Sequence, residues 1–72
     1  MKKITTAEEI MNIAADSIDA DARALAAGAN LDQNWEHEAT LYNFTDGSVL
    51  TISGTFLSTY ASAKDALEAL EA

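Results

Sequence analysis

The chain has 72 residues, 49% of them hydrophobic, and a formal net charge of −8 at pH 7, with no cysteine and no proline. That apolar content is too high for a disordered acidic tail, and the length supports one small domain spanning residues 1–72. The lack of cysteine excludes disulfide staples, thiol nucleophiles and Cys-based metal sites. Four basic residues are too few to hold nucleic acid directly.

Met1-Lys2-Lys3 resembles the basic start of a secretion signal. Thr5, Thr6, Glu8 and Glu9 then stand where its apolar segment should be, so secretion is not expected. No apolar run approaches the roughly 20 residues that span a bilayer. A cytoplasmic protein without membrane contact is the expectation.

Thr5-Thr6-Ala7-Glu8-Glu9 holds two overlapping capping boxes, Thr5 with Glu8 and Thr6 with Glu9. Behind them Ala7, Met11, Ala14, Ile18, Ala22 and Leu25 recur at helical spacing, with Ile10 and Ile13 widening the stripe. Gly28 and Asn30 mark a helix stop. Glu8, Glu9, Asn12, Asp16, Asp19 and Arg23 project onto the opposite face, whereas Asp21 falls at the stripe's edge. The spacing therefore predicts a long N-terminal helix with a bend near Asp19, where Asp19 and Asp21 are good N-cap residues.

Residues 39–60 change to strand composition, with Tyr42, Phe44, Val49, Ile52, Phe56 and Tyr60 among threonines and serines. Asp46-Gly47 predicts a hairpin turn. A three-residue loop with a left-handed Gly47 would gather Tyr42, Phe44, Leu50 and Ile52 on one face, which a two-residue turn would not. Ser53-Gly54 predicts a second tight turn into a strand from Thr55 to Tyr60. Ser62-Ala63-Lys64-Asp65 starts a last helix with Ala63, Ala66, Leu67 and Leu70 as its apolar stripe. The resulting expectation is an α+β domain: one N-terminal helix, a three-stranded antiparallel meander and a short C-terminal helix, the helices on one sheet face.

Catalytic chemistry finds little support. His37 is the only histidine, and on a strand Glu36 and Glu38 would point away from it. Asp16, Asp19 and Asp21 lack EF-hand spacing and a loop glycine. A glycine-rich phosphate loop and a nucleophile elbow are also missing. No enzyme, metal or cofactor is expected.

The carboxylates are the feature that remains. Beyond Lys3, twelve of them face only Arg23 and Lys64. Such a field attracts basic surfaces and repels nucleic acid and anionic membranes. Glu8, Glu9, Asp16 and Asp19 line one predicted helix face, Asp32, Glu36 and Glu38 precede the first predicted strand, and Asp46 sits at the hairpin tip. Carboxylates three or four residues apart on a helix rise about 4.5–6 Å, comparable to the roughly 3.4 Å between charges along one strand of duplex DNA. Held rigidly, these eight could substitute for phosphates in a basic cleft. A charged face kept only for solubility would read similarly.

Asp32-Gln33-Asn34-Trp35-Glu36-His37-Glu38, followed by Thr40 to Leu50 and Ser53-Gly54-Thr55, resembles one phage anti-CRISPR family. The shared pattern is D-Q-x-W-[DE]-x-E, then T-x-Y-x-F-x-D-x-S-V-L-x-x-S-G-T, with a one-residue gap between Glu38 and Thr40. The resemblance implies a small acidic DNA mimic of helix-plus-sheet fold that inhibits type I-F and type I-C surveillance complexes. Such proteins occupy a lysine-rich cleft where target duplex would enter beside its PAM, and they do no chemistry. The matching acids are Asp32, Glu36, Glu38 and Asp46; Trp35, Tyr42, Phe44, Val49 and Leu50 match as well and are read as core and sheet residues. The family's C-terminal helical region is longer and more acidic than the segment holding Lys64, Asp65, Glu68 and Glu71. That departure leaves the target open to another CRISPR subtype or another DNA-binding protein.

The expected function is blockade of duplex binding by a type I CRISPR complex in the host bacterial cytoplasm. The alternative is an acidic protein-interaction or regulatory module, with an apolar patch around Phe56, Leu57 and Tyr60 on an uncovered sheet edge. Monomer and dimer are both compatible with the sequence.

Overall fold

A computed structural model describes residues 4–71, so the basic start Met1–Lys3 and the terminal Ala72 lie outside the described residues. The elements are α1 (Thr6–Ile13), α2 (Ser17–Ala26), β1 (Asn30–Asn34), β2 (Ala39–Asn43), β3 (Val49–Ser53), β4 (Phe56–Tyr60) and α3 (Ala63–Glu71). The strands form one antiparallel meander in the order β1-β2-β3-β4. Three helices and four strands thus replace the expected two helices and three strands.

The added strand is β1. Asn-Leu-Asp-Gln-Asn contains no β-branched or aromatic residue and no apolar alternation, so nothing in its local preference announces a strand. Pairing makes it one: Leu31 lies opposite Tyr42, Asp32 opposite Leu41 and Gln33 opposite Thr40. The Thr40 hydroxyl also donates to Gln33 Oε1 at 2.6 Å.

The predicted N-terminal helix is two helices, and the break lies earlier than the expected bend. Thr5 caps α1, its hydroxyl accepting from the Glu8 N–H, and α1 ends at Ala14 in extended backbone. Asp16 then caps α2. Its carboxylate accepts from the Asp19 N–H at 2.8 Å, while Asp19 Oδ2 reaches back to the Ala15 N–H at 3.0 Å. This reciprocal exchange satisfies first-turn donors much as a capping box does. The break also resets the helical phase. Ala7 and Ile10 of α1 are buried, but α2 turns Ala20 and Ala24 inward and leaves Ile18 80% exposed. The continuous stripe from Ala7 to Leu25 does not exist.

The helices lie on both sheet faces, not one. Tyr42, Phe44 and Leu50 join Ala7, Ile10, Ala20 and Ala24 in one core, against which Met11, Ile52 and Leu57 pack. The alternate strand residues Ala39, Leu41 and Val49 join Ala66 of α3 in a second, flanked by Tyr60 and Leu70. Successive strand residues point to opposite faces, so α1 and α2 cover one side and α3 the other. Two thin cores replace one thick one.

The central hairpin takes the bulged form. Tyr42 pairs with Leu50 and Asn43 with Val49. The Phe44 N–H donates to the Ser48 carbonyl and the Gly47 N–H to the Phe44 carbonyl, both at 3.0 Å. Gly47 has φ +89, which a side chain would resist. Ser53-Gly54-Thr55-Phe56 closes the second hairpin tightly, with Ser53 opposite Phe56.

One contact spans the chain. The Ser48 hydroxyl, buried at the loop's end, accepts from the Ala7 N–H at 3.1 Å and donates to Asp46 Oδ1 at 2.6 Å. Asp46 Oδ2 accepts from the Thr6 N–H at 2.9 Å. Ser48→Ala strands the buried Ala7 donor, an expected loss of about 1–3 kcal/mol. Thermal circular dichroism should then show a Tm lower by about 4–8 °C for each kcal/mol.

Candidate functional site

The eight singled-out carboxylates do not form one patch. β2 begins at the β1–β2 turn and ends at the β2–β3 loop, so those two connections lie at opposite ends of the sheet. Glu8 and Glu9 occupy the first turn of α1, which is tied to Asp46 at the β2–β3 end. Asp32, Glu36 and Glu38 belong to β1 and the turn after it, toward the other end. Asp16 and Asp19 start α2.

Several of these acids already serve the fold. Asp46 accepts from the Ser48 hydroxyl, the Thr6 N–H and the Ser48 N–H, which together hold its carboxyl well below the ordinary carboxylate range. Asp19 meets Arg23 Nε at 2.7 Å, and this bond, followed by the Ala15 N–H, lowers its pKa. Asp16 is spent on its cap. Asp21, which the helical projection left at a border, accepts from the buried Tyr42 hydroxyl. Burial first and this bond second raise the Tyr42 pKa.

Asp32, Glu36 and Glu38 differ. All three are exposed, and their carboxylates accept no hydrogen bond and meet no cation among the described residues. Residues 35–38 form a turn, so the expected strand geometry around His37 is replaced. The His37 N–H donates to Asn34 Oδ1 at 3.1 Å, and Glu38 adopts φ +52. A non-glycine residue in that left-handed region costs roughly 1 kcal/mol.

Trp35 is 81% exposed, which corrects its reading as a core residue. It sits just past the end of β1, in the turn before β2. With Gln33, Asn34, Glu38, Ala39 and Thr40 it lines a shallow groove of about 290 Å³. An exposed indole beside unpaired carboxylates can receive a lysine or arginine side chain, the carboxylates supplying charge and the ring a cation–π face. Among the described residues no three His, Asp or Glu side chains come together as a metal site, and no helix is long and apolar enough to cross a membrane.

No family model, curated protein or solved structure matches this chain.

The bound state of Asp46 has a pH signature. Its folded pKa lies below the ordinary 3.8, so the ionised carboxylate stabilises the fold above that value, and the contribution is lost as pH falls toward the folded pKa. Asp46→Asn should melt below wild type at neutral pH, and the gap in Tm should narrow steadily as the pH drops beneath 3.8. A gap that stays constant across that range would mean the charge of Asp46 contributes nothing.

Proposed function

We propose that this chain is a non-enzymatic DNA mimic that occupies the duplex-DNA cleft of a type I CRISPR surveillance complex in the cytoplasm of a host bacterium. The reading is carried by the β1–β2 turn and the strand leading into it, where Asp32, Glu36 and Glu38 stay unpaired around an exposed Trp35. The same segment bears the first half of the anti-CRISPR-like pattern. Glu38 adds weight, because a carboxylate is kept at a backbone conformation that asparagine or glycine adopts more easily. Strain of this kind is found where function holds it in place.

The mechanism is competition. Lysines of the cleft pair with carboxylates in place of phosphates, and the duplex is excluded. Ion pairs of this kind roughly offset their own desolvation, so Trp35 supplies apolar area as an anchor. Long-range attraction makes association fast and salt-sensitive. A protein-interaction module is the second reading, favoured by Phe56, which is 78% exposed at the start of an edge strand.

Competition between this protein and a labelled target duplex for purified type I-F and type I-C complexes tests the first reading. Displacement of duplex should weaken as salt rises. Asp32→Lys, Glu36→Lys and Glu38→Lys combined should abolish displacement with the circular dichroism spectrum unchanged. Full displacement by that folded variant refutes electrostatic mimicry.

Glu38→Asn separates function from fold. It should raise Tm by relieving the left-handed strain, by about 1 kcal/mol in stability, and should weaken displacement in the same preparation. Trp35→Ala should leave Tm unchanged within about 0.5 kcal/mol and weaken displacement by at least about tenfold, the loss of roughly 1.4 kcal/mol expected of an interface anchor.

A further inference from the structure

The last charged residue before β4 is Asp46 and the next is Lys64, so the segment from Gly47 to Ala63 is wholly uncharged. β4 lies in that segment and is an edge of the sheet. Edge strands are ordinarily guarded by charge, proline or a bulge, because their free N–H and C=O groups template further pairing. β1, the opposite edge, carries Asp32 and is polar at every position but Leu31. β4, Phe-Leu-Ser-Thr-Tyr, has no such guard. In a chain of net charge −8, it is the stretch where two copies can approach with no charged side chain of their own at the seam.

Hydrogen-bond alternation shows which groups are free. The Phe44–Ser48 bond sets the parity of the ladder, so the even residues Leu50 and Ile52 of β3 bond to β2. Its odd residues Val49, Thr51 and Ser53 then bond to their β4 partners Tyr60, Ser58 and Phe56. The main-chain groups of Leu57 and Thr59 are left pointing away from the sheet. No hydrogen bond to either occurs on that side among the described residues.

We propose that β4 pairs with β4 of a second copy, antiparallel about a two-fold axis at Ser58, to form one continuous eight-stranded sheet. In this register Leu57 faces Thr59 of the partner copy, so the two outward-facing residues exchange both of their main-chain bonds, and the axis repeats the exchange. The non-hydrogen-bonded positions pair Phe56 with the second copy's Tyr60, and Ser58 with its own equivalent. Side chains approach most closely at such positions, with Cα atoms about 4.5 Å apart. Each exposed Phe56 thereby gains a cross-strand aromatic neighbour, and the small Ser58 leaves the axis uncrowded. The interface is small and self-complementary, so association depends on protein concentration. Carboxylates on α1 and α3, which pack over β3 and β4, still repel across the axis. Salt therefore strengthens the dimer, opposite to its effect on displacement of duplex.

Sedimentation of the wild-type protein across concentration and salt tests this directly. A monomer–dimer equilibrium that shifts to dimer with added salt is expected; a monomer at every concentration and salt overturns the proposal. Ser58→Lys and Ser58→Glu should each sediment as monomers with wild-type circular dichroism, and mixing them in equal amounts should restore the dimer mass. Because the chain has no cysteine, single-cysteine variants report the register. Ser58→Cys should cross-link to a covalent dimer under mild oxidation, since the separation at the axis suits a disulfide, whereas Asp32→Cys on the other edge should not. Cross-linking through Asp32→Cys as readily as through Ser58→Cys overturns the pairing even if a dimer forms.

Discussion

The Asp46–Ser48 contact with the start of α1 is the constraint on which the remaining structure depends. A helix of eight residues is too short to persist alone, and its first N–H groups have no partner within the helix. Asp46 and Ser48 supply those partners for Thr6 and Ala7 from 40 and 41 positions along the chain. The carboxylate also lies at the positive end of the helix dipole, where an anion is stabilised. Capture of this end places Ala7 and Ile10 over Leu50 and Phe44 and so builds the first core. The loop geometry makes the capture possible: the left-handed Gly47 turns Ser48 inward and lets Asp46 reach both Ser48 and Thr6. A residue at the most exposed end of a hairpin is thus among the most structurally committed acids of the protein.

This commitment divides the negative charge by purpose. Asp16, Asp19, Asp21 and Asp46 each accept hydrogen bonds from the fold, and Asp19 is paired with Arg23. They contribute to the field around the molecule but cannot turn toward a partner without giving up a cap or a latch. Asp32, Glu36 and Glu38 carry no such duty. Two thin cores leave little stability in reserve, so it is consistent that these three free carboxylates lie on the edge strand and its turn, where repulsion acts on backbone that packs against little else. β1 is exposed at four of its five positions.

What the sequence made legible follows from how locally each element is specified. Asp46-Gly47 set between alternating apolar residues specifies a turn and its register together, since the bulged loop alone gathers Tyr42, Phe44 and Leu50. The last helix and the tight turn at Gly54 carry equally local signals. β1 does not: five residues of low strand preference are held by pairing with β2, which periodicity cannot register. The helix break was hidden because Ile18, Ala22 and Leu25 continue the spacing of Ala7, Met11 and Ala14, although α2 buries its alanines instead. The pair Asp16 and Asp19, three residues apart, was the available signal for the restart. In the candidate site, the exposure of Asp32, Glu36 and Glu38 was readable from their polar neighbours. Trp35 was not, because an indole is ordinarily buried and only the newly found strand places it in a turn beyond the sheet's edge.

The uncharged β4 edge and the unpaired acids of the β1 edge therefore belong to different parts of the fold, and this separation has a physical consequence. Charge at the β1 edge acts over a Debye length, about 10 Å at 0.1 M salt, and draws in basic surfaces. The bare backbone of β4 acts only at hydrogen-bond range. Because β2 and β3 lie between the two edges, occupying one does not cover the other. Pairing through β4 would present two acidic edges, one at each end of a continuous sheet, and binding by one would raise the local concentration of the other for a partner with a second basic site. Carboxylates distributed along β4 would have abolished that arrangement, since like charges facing each other across a ladder oppose pairing. The uncharged stretch is thus as informative as the charged one: in a chain this acidic, the place that excludes charge marks the surface where copies of the protein can meet.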